Sequence, residues 1–106
     1  MLPSKLKQQL VDEDFWDLPC VHCGKPANDI EAEHCLFYSR KQIQEREAIV
    51  PVRRQYNRNP TQDVKDYSKL CALNQYKEAG KWQHLCTKYY KFNWDQEYKR
   101  LTQKFI

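Results

Sequence analysis

An acidic residue and a histidine stand side by side in the segment EAEHCLFYSR, which covers residues 31–40. Glu33 and His34 form this pair, and it is the only histidine of the chain that directly follows an acidic residue. A carboxylate can bind a metal ion, and a neutral imidazole beside it can take a proton from water. The pair can equally be the ordinary polar end of a strand. Which alternative applies depends on residues further along the chain.

A second group of reactive side chains lies in CVHCGK, residues 20–25, which we call the cysteine knuckle. Cys20 and Cys23 are spaced so that two thiolates can bind one zinc ion, while Gly24 lets the turn close. A structural zinc site needs four ligands, and the chain has no second C-x-x-C. The alternative is that the two thiols are idle. The remaining candidate ligands are Cys35, Cys71, Cys86, His22 and His84, of which the segment HLC at 84–86 is the most ligand-like.

The composition limits the classes of protein to consider. A chain of 106 residues forms one small domain, and no apolar stretch is long enough to span a membrane or to act as a signal peptide. Five cysteines, an odd number, favour free thiols or metal ligands over a disulfide framework. We therefore expect a cytoplasmic protein with no membrane partner.

Charge is distributed unevenly along the chain. Residues 1–37 carry a net charge of −4, whereas residues 38–58 and 81–106 carry +4 each. Two basic segments behind an acidic one predict an anionic partner such as nucleic acid. The alternative is a solvated surface of lysine and arginine.

The elements that must position these side chains follow from the apolar pattern. Helical spacing predicts a short helix from Leu6 to Phe15, and alternation predicts a strand over residues 30–36. AIVPV predicts a second strand, of edge or irregular type because of Pro51. Three helices should follow. Asn59 should cap the first, Gly80 should end it, and Asn93 should cap the third. Their apolar faces, in chain order, consist of Val64, Tyr67, Leu70 and Cys71, then Trp82, Leu85 and Tyr89, then Trp94, Tyr98, Leu101 and Phe105. The fold class is therefore α+β, with a ββ element at about 30–53 and helices over most of 60–106.

These motifs, in this order, resemble the HNH endonuclease family, and most closely its phage recombination and resolution members. The likeness covers C-x-x-C-G, the acid-histidine pair, IVP, and an asparagine that opens a helix, over about residues 18–80. It implies a ββα-metal core between an N-terminal helix at 1–17 and C-terminal helices at 81–106, in a single domain. Where the family has its second cysteine pair, this chain has Arg53 and Tyr56, so half of the zinc site is missing.

The resemblance also implies roles for individual residues. Glu33 would be the first ligand of a catalytic Mg²⁺ or Mn²⁺ ion, His34 the general base, and Asn57 a ligand or an orienting group. Asp63 and Asp66 can stand in for the ligand that the family has on its helix, or they are carboxylates favoured by the helix dipole.

Three arginines, Arg53, Arg54 and Arg58, flank the start of the helix in the HNH-like pattern. Guanidinium groups at this position suit phosphate binding. The alternative is a solvated face on which they pair with nearby acids.

Three functions compete. The first is a metal-dependent nuclease acting on phage DNA in recombination or processing. The second is an HNH-like module that binds nucleic acid or a protein without cleaving. The third is a zinc-finger adaptor in which Cys20 and Cys23 matter and His34 does not. The sequence leaves the oligomeric state open.

Overall fold

The chain folds as an α+β protein, and the computed structural model describes residues 2–106. Five α-helices and four short strands make up the regular structure of these residues. Their bounds are α1 Ser4–Asp12, β1 Ile30–His34, β2 Phe37–Tyr38, β3 Lys41–Gln42, β4 Ile49–Arg53, α2 Arg54–Arg58, α3 Gln62–Glu78, α4 Trp82–Lys88 and α5 Trp94–Lys104. The prediction of an α+β class is confirmed.

The two predicted strands pair with each other. β1 and β4 run antiparallel, with Ile30 opposite Arg53 and His34 opposite Ile49, so the ββ pair expected at 30–53 is confirmed. Pro51 has no N–H to donate, and β4 accommodates it because each strand of a two-stranded sheet has one edge that pairs with no other strand. Between these strands the chain forms a second antiparallel pair, the β2–β3 hairpin, which the pattern did not predict.

The helical segment after β4 differs from the prediction. A short helix, α2, follows the strand immediately, and Asn59 lies at its end instead of capping the next helix. Thr61 caps α3, since its hydroxyl oxygen accepts from Val64 N at 3.2 Å. The expected cap at Asn59 was therefore wrong. Gly80, with φ +69°, follows the end of α3 as predicted.

The predicted apolar face matches the buried residues better on α5 than on α3. On α3 the buried residues include Leu70, Leu73 and Tyr76, whereas Tyr67 of the predicted face is exposed. On α5 the predicted Trp94 and Leu101 are buried, and the Asn93 side chain accepts from Gln96 N at 3.0 Å as expected of a cap.

Buried side chains form two clusters. The larger lies between β4 and the helices α3, α4 and α5, and the smaller joins α1, the cysteine knuckle and the sheet. Two polar residues of α3, Asp66 and Ser68, are buried as well. Within residues 2–106 no helix has both the length and the apolar composition that crossing a membrane requires.

Candidate functional site

The acid-histidine pair and Asn57 line one cavity of about 500 Å³, which we call the β1–α3 cavity. Glu33 and His34 come from the end of β1, and Asn57 comes from α2. The opposite wall is α3, which contributes Ser68 and two lysines. The full lining is Ala32, Glu33, His34, Cys35, Phe37, Gln42, Asn57, Pro60, Gln62, Lys65, Asp66, Ser68 and Lys69.

Glu33 is held by a chain of hydrogen bonds. The buried hydroxyl of Ser68 donates to its carboxylate, and His22 Nε2 lies 2.8 Å from Ser68 Oγ. Burial raises the pKa of Glu33, and the hydrogen bonds from Ser68 and Cys35 offset this only in part. Burial lowers the pKa of His22, so its neutral ring can donate to Ser68. Ser68 was not predicted, because a serine within a helix carries no signal of its partner.

His34 is arranged as a neutral imidazole. Its Nε2 lies 2.8 Å from Gln44 Oε1, an acceptor, so Nε2 carries the proton and Nδ1 is left with a lone pair. Burial lowers the pKa of His34, and the hydrogen bond to Gln44 opposes the shift. A ring that stays neutral near pH 7 suits a proton acceptor.

Asn57 is oriented by the carboxylate of Glu31, which was not among the predicted site residues. Asn57 Nδ2 donates to Glu31 Oε1 at 2.8 Å, which leaves the amide carbonyl oxygen of Asn57 available to a ligand. Glu31 shares its parity along β1 with Glu33, and this was the signal that could have identified it. Asn57 lies inside α2, so the expectation that it opens a helix was wrong.

The three arginines expected to bind phosphate are paired with acids. Arg54 Nε and Arg58 Nη2 each lie 3.2 Å from Glu31 Oε2, and Arg53 Nε lies 3.1 Å from Asp29 Oδ1. The pKa of Glu31 is lowered, mainly by the hydrogen bond from Asn57 and further by those from Arg58 and Arg54. Burial acts in the opposite direction and raises it. Arg53 and Arg54 are not among the residues lining the cavity.

Two lysines of α3 carry the positive charge at the cavity instead. Lys65 is exposed and Lys69 is half-buried, and both line the cavity. Lys69 is partly neutralised by Glu97, at 2.5 Å. Lys65 is therefore the more accessible positive charge beside Glu33 and His34.

The carboxylates of Asp63 and Asp66 are occupied by the last helix. Lys104 Nζ lies 2.8 Å from Asp63 Oδ1 and 2.7 Å from Asp66 Oδ2, and Arg100 adds a contact to Asp66 at 3.5 Å. Burial would raise the pKa of Asp66, but the hydrogen bonds from Lys104 and Gln62 lower it. Asp66 lines the cavity but is already neutralised, which weakens its candidacy as a metal ligand.

The cysteine knuckle closes as predicted but lacks further ligands. Gly24 N donates to Cys20 O at 2.7 Å, which places Cys20 and Cys23 in one turn. The Sγ atom of Cys20 accepts from His22 N and Arg53 N, both at 3.4 Å. Burial would raise the pKa of Cys20, but these backbone N–H groups lower it.

No set of three histidine, cysteine or acidic side chains gathers into a metal site anywhere in residues 2–106. Cys35, Cys71 and Cys86 pack on the larger core cluster, while Cys20 and Cys23 belong to the smaller one. The His84 ring binds Glu45 at 3.0 Å. Within residues 2–106 the donors gathered at the knuckle therefore do not make up a four-ligand structural site, and the expectation that one of these residues completes a zinc site stays a prediction.

The donors in the β1–α3 cavity fit a different kind of ion. The carboxylate of Glu33 and the amide carbonyl of Asn57 are oxygen ligands of the kind that Mg²⁺ and Mn²⁺ accept. Mg²⁺ in particular is often held by one or two protein groups together with substrate phosphates. The cavity therefore suits an ion whose coordination is completed by a substrate.

Comparisons of the chain with models of protein families, with curated proteins and with solved structures found no match.

Proposed function

We propose that this protein is an HNH-like DNA-binding protein whose β1–α3 cavity is the centre of a divalent-metal-dependent endonuclease. The observation that carries the proposal is that the adjacent residues Glu33 and His34 of β1 line one cavity with Asn57, which comes from α2. The order of elements supports it too, since the antiparallel pair of β1 and β4 leads directly into a helix. Phage DNA in recombination or processing is the substrate that the resemblance suggests.

Each residue has a part that its contacts explain. Glu33, with Asn57 Oδ1, would hold the cation, which when bound supplies charge stabilisation to the attacked phosphate and to the leaving oxygen. His34 would accept a proton from water through Nδ1, while Gln44 fixes the ring through Nε2. Ser68 and Glu31 hold the carboxylate of Glu33 and the amide of Asn57 in place.

DNA would be held by positive charge around the cavity. Lys65 lies at the cavity itself, and Arg54 and Arg58, which pair with the Glu31 that orients Asn57, have side chains more than half exposed. An arginine has five N–H donors, so pairing with Glu31 leaves further donors for phosphate oxygens.

The test is a supercoiled-plasmid nicking assay with Mg²⁺ or Mn²⁺. We expect His34→Ala to lower the rate of nicking by about 100-fold or more, as for the loss of a general base. Glu33→Ala should abolish metal-dependent nicking while DNA binding survives. His84→Gln is the matched control, because its ring lies outside the cavity and glutamine can still donate to Glu45. Nicking by His34→Ala at the wild-type rate would refute the proposal.

A second candidate is a module that binds DNA without cutting it. The observation that favours it is that Asp66, the other acidic residue of the lining, is paired with Lys104 at 2.7 Å. In that case neither Mg²⁺ or Mn²⁺ nor the Glu33→Ala substitution should change DNA binding. Changing Arg53 and Arg54 together to glutamate should weaken DNA binding and reduce its dependence on salt.

A further inference from the structure

The β2–β3 hairpin carries an aromatic ring at the β1–α3 cavity that the packing of the core does not explain. Phe37 is 55% exposed and lines the same cavity as Glu33 and His34. None of the aromatic pairs and cation-π contacts within residues 2–106 includes its ring. It is also the only phenylalanine, tyrosine or tryptophan in the lining.

Its neighbours hold the hairpin in place. Leu36 and Ile43 are buried, and Ile43 N donates to Leu36 O at 2.9 Å. The Tyr38 ring packs edge-on against Tyr89, with centroids 5.2 Å apart, and its hydroxyl accepts from Lys91 N. Because successive strand side chains point to opposite faces, anchoring Tyr38 on the core turns Phe37 away from it.

Basic side chains lie on the α3 side of the cavity that this ring lines, where Lys65 and Lys69 are part of the lining. Arg40 is exposed in the hairpin turn, whereas Lys41 is paired with Tyr38 and lies on the other face of the hairpin. The turn places Ser39 and Arg40 at φ 52° and 66°, a left-handed conformation that neither residue favours. An exposed aromatic ring and lysines that line the same cavity are the arrangement that binds an unpaired base and its phosphates.

We propose that Phe37 stacks on an unpaired nucleobase, so that the preferred substrate is DNA with an unpaired base next to the phosphodiester entering the cavity. This inference rests on the proposed function, since it assigns the substrate class of the same site. A base within a continuous duplex is already stacked on both faces and gains little from the ring. A bulged, gapped or flapped base offers a free face.

The test compares two labelled DNAs by fluorescence anisotropy in metal-free buffer. One is a continuous duplex, and the other is the same duplex with a single unpaired 2-aminopurine. The proteins are wild type, Phe37→Leu, which stays apolar but loses the ring, and Phe37→Tyr, which keeps the ring. Tyr90→Leu is the matched control, because Tyr90 is 71% exposed and lies outside the cavity.

We expect wild type and Phe37→Tyr to bind the bulged DNA more tightly than the duplex and to quench 2-aminopurine fluorescence. Phe37→Leu should weaken binding to the bulged DNA by about 5- to 100-fold, abolish quenching and leave duplex binding within about twofold, which is the range for loss of one stacked base. Tyr90→Leu should behave as wild type.

Two results would overturn the inference alone: DNA binding by wild type that Phe37→Leu leaves unchanged, or an equal loss on both DNAs. Wild-type protein that binds neither DNA would overturn both this inference and the proposed function.

Discussion

Replacing Glu45 with glutamine should destabilise the protein at neutral pH, with the difference fading in acid. Glu45 lies in the loop between β3 and β4, next to the Gln44 that binds His34. Its carboxylate accepts from the Tyr76 hydroxyl at 2.6 Å and also contacts three groups of the α4 segment. These groups are His84 Nε2 at 3.0 Å, Lys88 Nζ at 3.1 Å and the Tyr89 hydroxyl at 3.2 Å.

The size of the effect follows from the pKa of this carboxyl group. Burial would raise the pKa of Glu45, but the hydrogen bonds from Tyr76, His84 and Lys88 lower it from 4.5 to about 2. At 1.36 kcal/mol per unit this shift corresponds to a ceiling of about 3.4 kcal/mol. Solvent screens the exposed partners Lys88 and His84, so we expect about half of it, roughly 1.5–2 kcal/mol at pH 7.

The pH dependence has a definite sign. The folded protein binds the proton of Glu45 less tightly than the unfolded chain does. The contribution to the free energy of unfolding is therefore complete above pH 4.5 and is lost as the pH falls towards 2. By about pH 3 more than half of it should be gone.

Urea unfolding of wild type and Glu45→Gln at pH 7, 5 and 3 measures this difference. Glu47→Gln is the matched control, because Glu47 makes a single ion pair, at 3.2 Å, with the half-exposed Lys81 and should contribute about 0–1 kcal/mol. A loss for Glu45→Gln that is equal at pH 7 and pH 3, or smaller than that for Glu47→Gln, would refute the reasoning. A chemical-shift change at His34 at pH 7 would show that the loop also positions the ring.

Three further predictions concern the site, the helix start and the knuckle. Ser68→Ala removes the hydroxyl that donates to Glu33, so the pKa of Glu33 should rise further; a carboxyl NMR titration that shows no rise would contradict the hydrogen-bond chain. Thr61→Ala should cost about 1 kcal/mol in urea unfolding as the loss of an N-cap, and Asn59→Ala clearly less; the reverse order would restore Asn59 as the cap. Protein purified from zinc-replete cells should hold less than about 0.2 zinc per chain by mass spectrometry, and a value near one would show that the knuckle binds zinc with ligands from elsewhere.

Local patterns predicted most of the regular structure. The strands at 30–34 and 49–53 and the helices at 82–88 and 94–104 follow from alternation, helical periodicity and the Asn93 cap. The β2–β3 hairpin could not be predicted in this way. Its strands have two residues each, too few for alternation to be recognised, and its turn uses Ser39 and Arg40 where glycine or asparagine is the usual signal.

The site was predictable only in part, because several of its contacts depend on how α3 and α5 pack. The resemblance indicated Glu33, His34 and Asn57, which line one cavity. It did not indicate that Ser68 would hold Glu33, since that contact forms only when α3 lies against β1. The state of Asp66 also depends on tertiary packing. Its local sequence suits a metal ligand or a carboxylate favoured by the helix dipole, but Lys104 of α5 neutralises it.

Backbone hydrogen bonds join the cysteine knuckle to β4. In a zinc site the ion joins two segments, and its binding energy becomes folding energy. Here Arg53 N donates to Cys20 Sγ and Val21 N donates to Pro51 O, so backbone hydrogen bonds join the turn to β4 directly. The His22 ring packs on Tyr56, with centroids 4.8 Å apart, at one of the two positions where the HNH-like pattern would have a cysteine.

Each of these contacts is weaker than a metal-ligand bond. Together with the burial of Cys20 among apolar side chains, however, they involve the same two segments that zinc would join. His22 then extends the connection to Ser68 and so to Glu33. A substitution of Cys20 or Cys23 should therefore change the position of Glu33 in the β1–α3 cavity, whether or not an ion is bound between the two cysteines.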